Sequence, residues 1–315
     1  MEYLFHILIM LNIYIMLVLS ANLTTGMANL LTMCQAAFYG IGAYIGAFFL
    51  MQFHCPLTLI LLIVSITTGL FSLLVSYASI KLKGDYFVLA TMGFQLIVYT
   101  ILYNWTSVTR GPYGIPGIPG IRILGIWELS GVYHYFVISL ILMILVSILF
   151  NKLLDSPYGR TLKAIKANEV LVEAYGRNVV GIKSWTFFIS AAVASVAGVI
   201  YASYVSYIDP TSFTLDESIF IISALFIGGI GNVRGPVLGA LFVVMLPEIL
   251  RFVGLPDSIA ANLRQIIYGL ALVLVILFRT TTLQVAENMQ SITLHMQSLQ
   301  LWLVFLSVMI LICTT

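Results

Sequence analysis

The sequence predicts an all-α, polytopic integral membrane protein with about nine transmembrane helices, within a range of eight to ten. Of its 315 residues, 61% are hydrophobic and 8% are charged, whereas about 25% of the residues in typical globular proteins are charged. The apolar residues form long continuous runs, which favour helices over the alternating pattern of a membrane barrel. So few polar stretches remain that the chain has no room for a soluble catalytic domain.

Each predicted helix is an apolar run near the length of roughly 20 residues that a membrane span requires. This criterion places helices at 4–20, 27–52, 56–79, 86–103, 133–150, 185–207, 217–231, 236–250 and 264–278. The first and the eighth are short, so we expect their ends to lie further out, or one or two segments to be half-helices. We interpret the first run as a retained helix, because Glu2 stands where a signal peptide would have basic residues.

The distribution of basic residues predicts the orientation. Lys and Arg concentrate in cytoplasmic loops, and the segment 151–184 contains six of the 14 basic residues. We therefore expect this loop in the cytoplasm and, by alternation along the chain, the N-terminus and the loop 104–132 outside. Asp216 and Glu217 are then expected in or beside an external loop.

The external loop 104–132 contains a run of glycines and prolines between Arg110 and Ile121. Proline removes a backbone donor and glycine permits positive φ, so this stretch cannot form a regular helix. It can serve as a rigid cap over helix ends, as a docking surface, or as a re-entrant segment of a transport pathway. The sequence does not separate these alternatives.

The basic loop 151–184 contains signals for short helices. Ser156 and Pro157 provide an N-cap followed by proline in the first turn, and Gly176 provides a stop. Asn168 can begin a second helix, which gives a helix–break–helix arrangement. The predicted apolar face contains Leu162, Ile165, Val172 and Tyr175. Such a face suits either a membrane surface or the groove of a partner protein.

Glycine patterns predict close helix contacts and one break. The pairs Gly42-x-x-x-Gly46 and Gly235-x-x-x-Gly239 allow helices to approach closely in lipid. The run Gly228-Gly229-Ile230-Gly231 is expected to interrupt or end a helix. Broken helices at membrane depth are tolerated where they line a cavity, so this run is a candidate part of a pathway.

Motifs for catalysis are missing from the sequence. It has no His-Glu-x-x-His and no Gly-x-Ser-x-Gly, and its three cysteines are spaced too widely for a disulfide framework or a metal site. The stretch from Gly176 to Gly181 is not a phosphate-binding loop, because Ile182 occupies the position of the lysine. We therefore predict no catalytic residues, no metal, no cofactor, no nucleic acid and no enzyme activity. Any ATP hydrolysis must come from another subunit.

Several stretches together resemble the permeases of branched-chain amino acid ABC importers, specifically the longer of their two permease types. These stretches are Gln35–Tyr44, Gly84–Phe94, Asn104–Ser107 with Gly111–Ile115, Ser156–Arg160, and Gly228–Gly231 with Gly235 and Pro236. The resemblance extends from about residue 26 to residue 279. It implies a permease domain at 1–279 in a bacterial inner membrane. It also implies a second permease subunit, two cytoplasmic ATPase subunits, an external solute-binding protein and the lipid bilayer as partners.

The resemblance also implies site residues. The basic loop corresponds to the region that rests on an ATPase subunit, and the residues carried over there are Gly159, Arg160, Ala164, Glu173, Ala174 and Gly176. The residues expected to line the pathway or pack helices are Gln35, Gly42, Gly46, Asp85, Gly228, Gly229, Gly231 and Gly235.

Two features depart from the family pattern. Arg110 and Tyr113 stand where glycine and asparagine are expected, and a tail at 280–315 contains a further apolar run, 299–313, that is short for a span. The expected substrate is a branched-chain or similarly small amino acid. Urea or a short amide is the alternative within the same class of importer. A channel or secondary transporter is the alternative from a different class, and the pattern of the basic loop and the scarcity of ionisable residues in the predicted spans speak against it.

Overall fold

The computed structural model describes residues 2–53, 55–79, 82, 84–123, 127–128 and 131–252. The helices are α1 (Glu2–Ala21), α2 (Gln35–Phe53), α3 (Leu57–Ser79), α4 (Asp85–Asn104), α5 (Thr106–Thr109), α6 (Val132–Asp155), α7 (Pro157–Ala167), α8 (Glu169–Ala174), α9 (Val179–Val205), α10 (Leu215–Gly228) and α11 (Arg234–Phe252). The predicted helix 264–278, the tail 280–315 and the run 299–313 lie outside the described residues.

Six of these helices are long and apolar enough to cross a membrane. They are α1 with its extension to Met27, α2, α3, α4, α6 and α9. The predicted all-α, polytopic membrane fold is confirmed. The predicted span at 217–231 is wrong, because α10 has only 14 residues and is therefore about 21 Å long, short of the roughly 30 Å hydrocarbon core.

The junction between the first two spans differs from the prediction. Helix α1 continues as a π-helix from Asn22 to Met27, and α2 begins only at Gln35. The prediction of a helix from residue 27 is therefore wrong. Asn29 has a φ of 56°, a left-handed conformation that interrupts a helix. Hydropathy does not reveal this break because the segment remains buried, as Leu30 and Cys34 show.

Helices α2 and α9 form the centre of the bundle, and glycines bring them together. A Cβ atom on Gly42 would lie 2.4 Å from the Cα of Ser195, and one on Gly198 would lie 2.2 Å from the carbonyl oxygen of Tyr39. Gly46 faces Val199 in the same interface. Only glycine allows this backbone approach, which replaces the hydrophobic effect as the source of helix association in lipid.

Helix α9 begins six residues before the predicted start at 185. Asn178 caps it, since its Oδ1 accepts a hydrogen bond of 2.9 Å from the backbone N–H of Gly181. The first turns of α9 therefore belong to the basic loop, and the helix extends from that loop into the bundle.

The segment 104–132, which is predicted to be external, has little regular structure, as expected. Its described part contains the single turn α5, a 3₁₀ turn at Gly111–Tyr113, and the two-residue strands β1 (Ile115–Pro116), β2 (Arg122–Ile123) and β3 (Trp127–Glu128). Strand β1 pairs in antiparallel fashion with β4 (Tyr207–Ile208), which follows α9, and β2 pairs with β3. Within this segment, the side chains of Ile118 and Ile121 are buried. It therefore covers helix ends at the end of the bundle opposite the basic loop.

Candidate functional site

The first helix of the basic loop begins where the sequence predicts. The side chain of Ser156 accepts a hydrogen bond of 3.2 Å from the backbone N–H of Gly159, and Pro157 occupies the first turn. A Cβ atom on Gly159 would lie 2.4 Å from the carbonyl oxygens of Leu153 and Leu154. Glycine therefore allows α7 to turn back closely against the end of α6.

The second helix of the loop is also capped as predicted. The Oδ1 of Asn168 accepts a hydrogen bond of 3.1 Å from the backbone N–H of Leu171, so the helix–break–helix arrangement is confirmed. Gly176 then adopts a φ of 76°, and its N–H donates to the carbonyl of Glu173 at 2.8 Å. A left-handed glycine of this kind ends a helix.

Apolar side chains attach this loop to the start of α9. Ile165, Val172 and Val179 form a buried cluster, with Ile182 packed against it. Leu162 is also buried, but Tyr175 is 80% exposed. The prediction that Tyr175 shares the buried face is therefore wrong, because Tyr175 follows the last residue of α8 and leaves the helical register.

The outer side of α8 is apolar and exposed. Val170 is 67% exposed and Leu171 is 54% exposed, and both lie close in sequence to the exposed Tyr175. We call Val170, Leu171 and Tyr175 the α8 patch. The predicted coupling residues with exposed positions around it and on α7 are Arg160, Ala164, Glu173, Ala174 and Gly176. Exposed apolar side chains grouped on one short element are typical of a protein interface.

Polar contacts fix the orientation of this loop. The Nζ of Lys183 on α9 lies 2.7 Å from Oε1 of Glu169, at the first position of α8. The hydroxyl of Tyr158 donates to the carbonyl of Ile182 at 2.9 Å and lies 2.8 Å from the hydroxyl of Thr186. Burial raises the pKa of Tyr158, so its hydroxyl stays neutral. Both α7 and α8 are therefore attached to α9.

A buried polar network lies at the start of α2. The Nε2 of Gln35 donates to the hydroxyl of Ser190 on α9 at 3.0 Å, and its Oε1 accepts from Ser20 on α1 at 3.3 Å. These three side chains are inaccessible to solvent. Gln35 therefore joins three helices at the point where α2 starts inside the bundle. Asp85, in contrast, is exposed in the first turn of α4, where a carboxylate favours the helix N-terminus.

The start of the half-helix α10 lies deep in the bundle. The Nε2 of Gln95, in the middle of α4, donates to the carbonyl of Phe213 at 2.8 Å. The hydroxyl of Ser218 accepts from the backbone N–H of Ala36 at 3.0 Å. Tyr14, in the middle of α1, donates to the carboxylate of Glu217 at 2.7 Å. Residues 213–218 therefore lie level with the middle of two spanning helices.

This depth corrects the prediction for two acidic residues. Asp216 is exposed and Glu217 is half-buried, yet both lie on the first turn of α10, well inside the bundle and not in an external loop. The sequence did not reveal this, because the break that carries residues 209–214 inward reads as an ordinary loop. A carboxylate at this depth is costly unless it faces water or a polar partner.

Helices α10 and α11 form a tight hairpin at the level of the C-terminal end of α1. A Cβ atom on Gly228 would lie 2.0 Å from the carbonyl oxygen of Gly235, and one on Gly239 would lie 1.9 Å from that of Ala224. Gly229 and Gly231 have φ values of 96° and 100°, which other residues rarely adopt. These glycines therefore build the hairpin turn and the contact between its two helices.

Sequence reasoning missed two residues that make contacts at the C-terminal end of α1, of which Asn22 holds this hairpin. The Oδ1 of Asn22 accepts from the backbone N–H of Gly231 at 3.1 Å, and its Nδ2 donates to the carbonyl of Asn232 at 3.0 Å. The Nζ of Lys166 donates to the carbonyl of Gly26 at 2.7 Å. A polar residue inside an apolar run was the available signal for Asn22. The sequence contains no comparable signal for Lys166, because nothing distinguishes it from the other basic residues of the loop.

A separate groove of about 620 Å³ opens between α2, α4 and the external segment. Apolar side chains line most of it, among them Phe48, Phe71 and Trp105, with Arg110 beside them. Asp216 and Glu217 are not among its lining residues. Within the described part of the chain, no three His, Cys, Asp or Glu side chains are grouped so that they could hold a metal ion.

Comparison with known proteins relates this architecture to membrane transport. A family described as "Branched-chain amino acid transport system / permease component" matches residues 3–276. No solved structure shows significant similarity to the chain.

The chain is 30% identical over 261 residues to the high-affinity branched-chain amino acid transport system permease protein LivM of Escherichia coli K12. The match covers 76% of this chain but 61% of the relative, so the chain spans about three fifths of that protein's length. A probable LivM of Methanocaldococcus jannaschii is 30% identical over 55% of this chain and 50% of its own length.

A third relative transports a different solute by name. The autoinducer 2 import system permease protein LsrC of Salmonella typhi is 27% identical over 84% of this chain and 72% of its own length. The family match over most of the chain, with the multi-pass helical architecture, leads to one conclusion: the chain belongs to the family of permease components of branched-chain amino acid transport systems.

Proposed function

We propose that this chain is the permease subunit of an ATP-driven importer that carries branched-chain or similarly small amino acids across a bacterial inner membrane. In this proposal it pairs with a second permease, receives its substrate from an external solute-binding protein, and is moved by two cytoplasmic ATPase subunits. The observation that carries the proposal is the α8 patch, an exposed apolar surface on a short helix that buried contacts attach to the bundle.

The geometry of the loop supports ATPase docking over attachment to lipid. The apolar residues that a membrane-surface helix would turn outward, Leu162, Ile165 and Val172, are buried, and the last two pack against the start of α9. The α8 patch projects from the other side of the loop, at its tip. A small rigid protrusion of this kind fits a groove in a partner protein. Its movement would pass directly to α9 through Lys183 and through the buried cluster of Ile165, Val172 and Val179.

The pathway is assigned to the face of α10 that carries Asp216 and Glu217. An exposed carboxylate at membrane depth cannot face lipid without a large cost, so this face belongs to a water-filled space that the second permease completes. The first turn of a half-helix at such a depth is the arrangement by which transporters bind polar solutes. Hydrogen bonds from Gln95 to the carbonyl of Phe213 and from the backbone N–H of Ala36 to Ser218 hold this turn in place.

The names of the relatives support the transport mechanism more directly than they identify the substrate. Two relatives are named for branched-chain amino acids and one for autoinducer 2, so the role of a transport permease is what their names share. Urea or a short amide remains the alternative substrate. Uptake of radiolabelled leucine and of radiolabelled urea, measured in the same membrane vesicles with the cognate binding protein, decides between the two.

Orientation is part of the proposal and has its own test. We place the N-terminus and the segment 104–132 outside and the loop 151–184 in the cytoplasm, because that loop carries six of the 14 basic residues. A single cysteine placed at Tyr113 or at Tyr175, both highly exposed, should react with an impermeant thiol reagent in intact cells only at Tyr113. Reaction at Tyr175 and protection at Tyr113 would invert the topology.

Co-purification of the tagged chain from its native membrane tests the function. We expect an ATPase and a second permease to accompany the wild-type chain. The Val170→Glu/Leu171→Glu variant should lose the ATPase and retain the permease, because charge disrupts an apolar interface. The Tyr113→Ala variant is the matched control, since it removes an exposed aromatic residue from the opposite end of the molecule. A lone homo-oligomer would instead support a channel or a secondary transporter.

A further inference from the structure

Three segments that are far apart in the sequence meet at the π-helical end of α1. They are the turn at residues 22–27, the basic loop through Lys166, and the α10–α11 hairpin through residues 230–232. The proposed function assigns no role to this meeting point. It nevertheless connects the loop proposed to receive the ATPase movement with the hairpin that follows the proposed pathway helix.

The contact of Lys166 has a clear electrostatic basis. The last carbonyl groups of a helix lack partners within the helix and carry a partial negative charge. The ammonium group of Lys166 lies 2.7 Å from one of them, the carbonyl oxygen of Gly26. This charge-assisted hydrogen bond is stronger than a neutral one. It attaches α7 directly to the end of the first span.

The contact of Asn22 continues the connection to the hairpin. Its amide both donates to and accepts from the backbone of the turn, at Asn232 and Gly231. An amide that satisfies two adjacent backbone groups fixes the orientation of the turn as well as its distance. The hairpin therefore cannot rotate against α1 without breaking at least one of these hydrogen bonds.

Gly26 makes the two contacts act together. A Cβ atom at this position would lie 2.1 Å from Oδ1 of Asn22 and 2.7 Å from Cγ2 of Ile230. Gly26 and Asn22 thus lie within one helical turn that leaves no space for a side chain at residue 26, and Lys166 binds the carbonyl oxygen of Gly26 in that turn. A displacement of α7 that pulls on the Gly26 carbonyl therefore moves Asn22 and the hairpin turn with it.

We propose that Lys166, Gly26 and Asn22 form a relay that transmits movement of the basic loop to the α10–α11 hairpin. Lys166 is the positioning residue at its entry, and Asn22 is the one at its exit. This inference rests on the proposed function, because it needs an ATPase that moves the loop. It differs from the docking assignment in that the relay residues do not contact the ATPase.

The relay is tested in the assembled transporter by hydrogen exchange of the backbone amides, compared before and after trapping with ATP and vanadate. In the wild-type complex, trapping should change exchange both in the loop 157–176 and in the hairpin turn 229–233. In the Lys166→Met variant the loop should still respond, and the response of the hairpin should fall by about threefold or more. The Gly26→Ala variant, which displaces Asn22, should have the same effect.

Two controls separate a relay from a purely structural contact. The Lys166→Arg variant retains a charged donor and should restore the response of the hairpin. The Lys152→Met variant removes an exposed lysine in the last turn of α6, at the same end of the molecule, and should behave as wild type. Uptake of radiolabelled leucine per ATP hydrolysed should fall only in the Lys166→Met and Gly26→Ala variants.

The outcomes distinguish failure of the relay from failure of the proposed function. A wild-type chain that assembles with no ATPase overturns both. An assembled Lys166→Met complex whose hairpin responds to trapping as strongly as wild type overturns the relay alone. The same holds if the variant only lowers the melting temperature and leaves uptake per ATP unchanged, because Lys166 would then merely stabilise the end of α1.

Discussion

The hydroxyl of Tyr14 donates a hydrogen bond of 2.7 Å to the carboxylate of Glu217, which places an acidic side chain level with the middle of the first span. The neighbouring Asp216 is exposed at the same depth. Two carboxylates on the first turn of a half-helix are the main polar feature that the described bundle presents at this level. In the proposed function, their surroundings are therefore central to how the chain handles a polar solute.

The first prediction is that Asp216 faces water. In a chain whose native cysteines Cys34, Cys55 and Cys313 are replaced by alanine, the Asp216→Cys variant should react with a charged thiol reagent. Leu70, 54% exposed in the middle of α3, provides the control at a lipid-facing position. The Leu70→Cys variant should react at least about tenfold more slowly, because the reactive thiolate requires water. Equal rates at the two positions would contradict a water-filled face.

The second prediction concerns the ion pair between Glu169 and Lys183. Only 7% of the Lys183 side chain is exposed, compared with 37% of the Glu169 side chain. Glu169→Ala should lower the free energy of unfolding by about 2 kcal/mol, because it leaves a buried ammonium group without a partner. Lys183→Met should cost less than about 1 kcal/mol, because Glu169 can regain water.

Thermal unfolding of the detergent-solubilised variants measures this asymmetry. The double variant should resemble Lys183→Met alone, since removal of the buried charge removes the penalty. If the two single variants lose the same stability, the pair acts as an ordinary surface contact and does not fix α8 in place.

The caps of the basic loop were predictable from the sequence and the breaks in the bundle were not. Ser156, Asn168 and Gly176 act through bonds to residues two to five positions away, so local sequence contains the necessary information. The break at Asn29 depends on how α1 and α2 pack, and the residues around it are as apolar as a span. Hydropathy therefore merged 27–34 with the following helix.

The depth of α10 illustrates the same limit for the candidate site. Its position depends on Gln95 and Tyr14, which lie more than 100 residues away along the chain. The local sequence does not distinguish a short apolar helix that starts at the membrane surface from one that starts halfway across the membrane. Consequently Glu217 was expected in or beside an external loop, although its residue type and its place at the start of a helix were apparent.

The third prediction tests the close approach of α2 and α9. Gly42→Ala should lower the free energy of unfolding by about 1–3 kcal/mol, because the new methyl group would overlap the backbone of Ser195. Gly93 on α4 is the matched control, since a Cβ atom there has no neighbour within 4 Å. Gly93→Ala should raise the stability by up to about 1 kcal/mol through helix propensity alone.

Melting temperatures of the two purified variants, compared with wild type, should therefore shift in opposite directions. A neutral Gly42→Ala variant would mean that the two helices can separate without cost. The interface would then not be fixed by the small residues at Gly42, Gly46 and Gly198.

The last prediction concerns the two positions that depart from the family pattern in the external segment. Arg110 has a φ of 59°, a left-handed conformation that costs a residue with a side chain about 1 kcal/mol or more. Arg110→Gly should therefore raise the free energy of unfolding by about 0.5–1 kcal/mol, even though it removes a large side chain. Arg110→Gln retains the Cβ atom and should leave stability within about 0.5 kcal/mol of wild type.

Tyr113 provides the opposite case within the same turn. It is not among the residues with positive φ, so Tyr113→Gly gains nothing from relief of strain and should destabilise the protein by about 0.5–1 kcal/mol through the entropy of the unfolded chain. If Arg110→Gly and Tyr113→Gly change the melting temperature in the same direction, backbone conformation does not decide the preference for glycine at position 110. The arginine would then be retained for a contact of its side chain, and Arg110→Gln would share the loss.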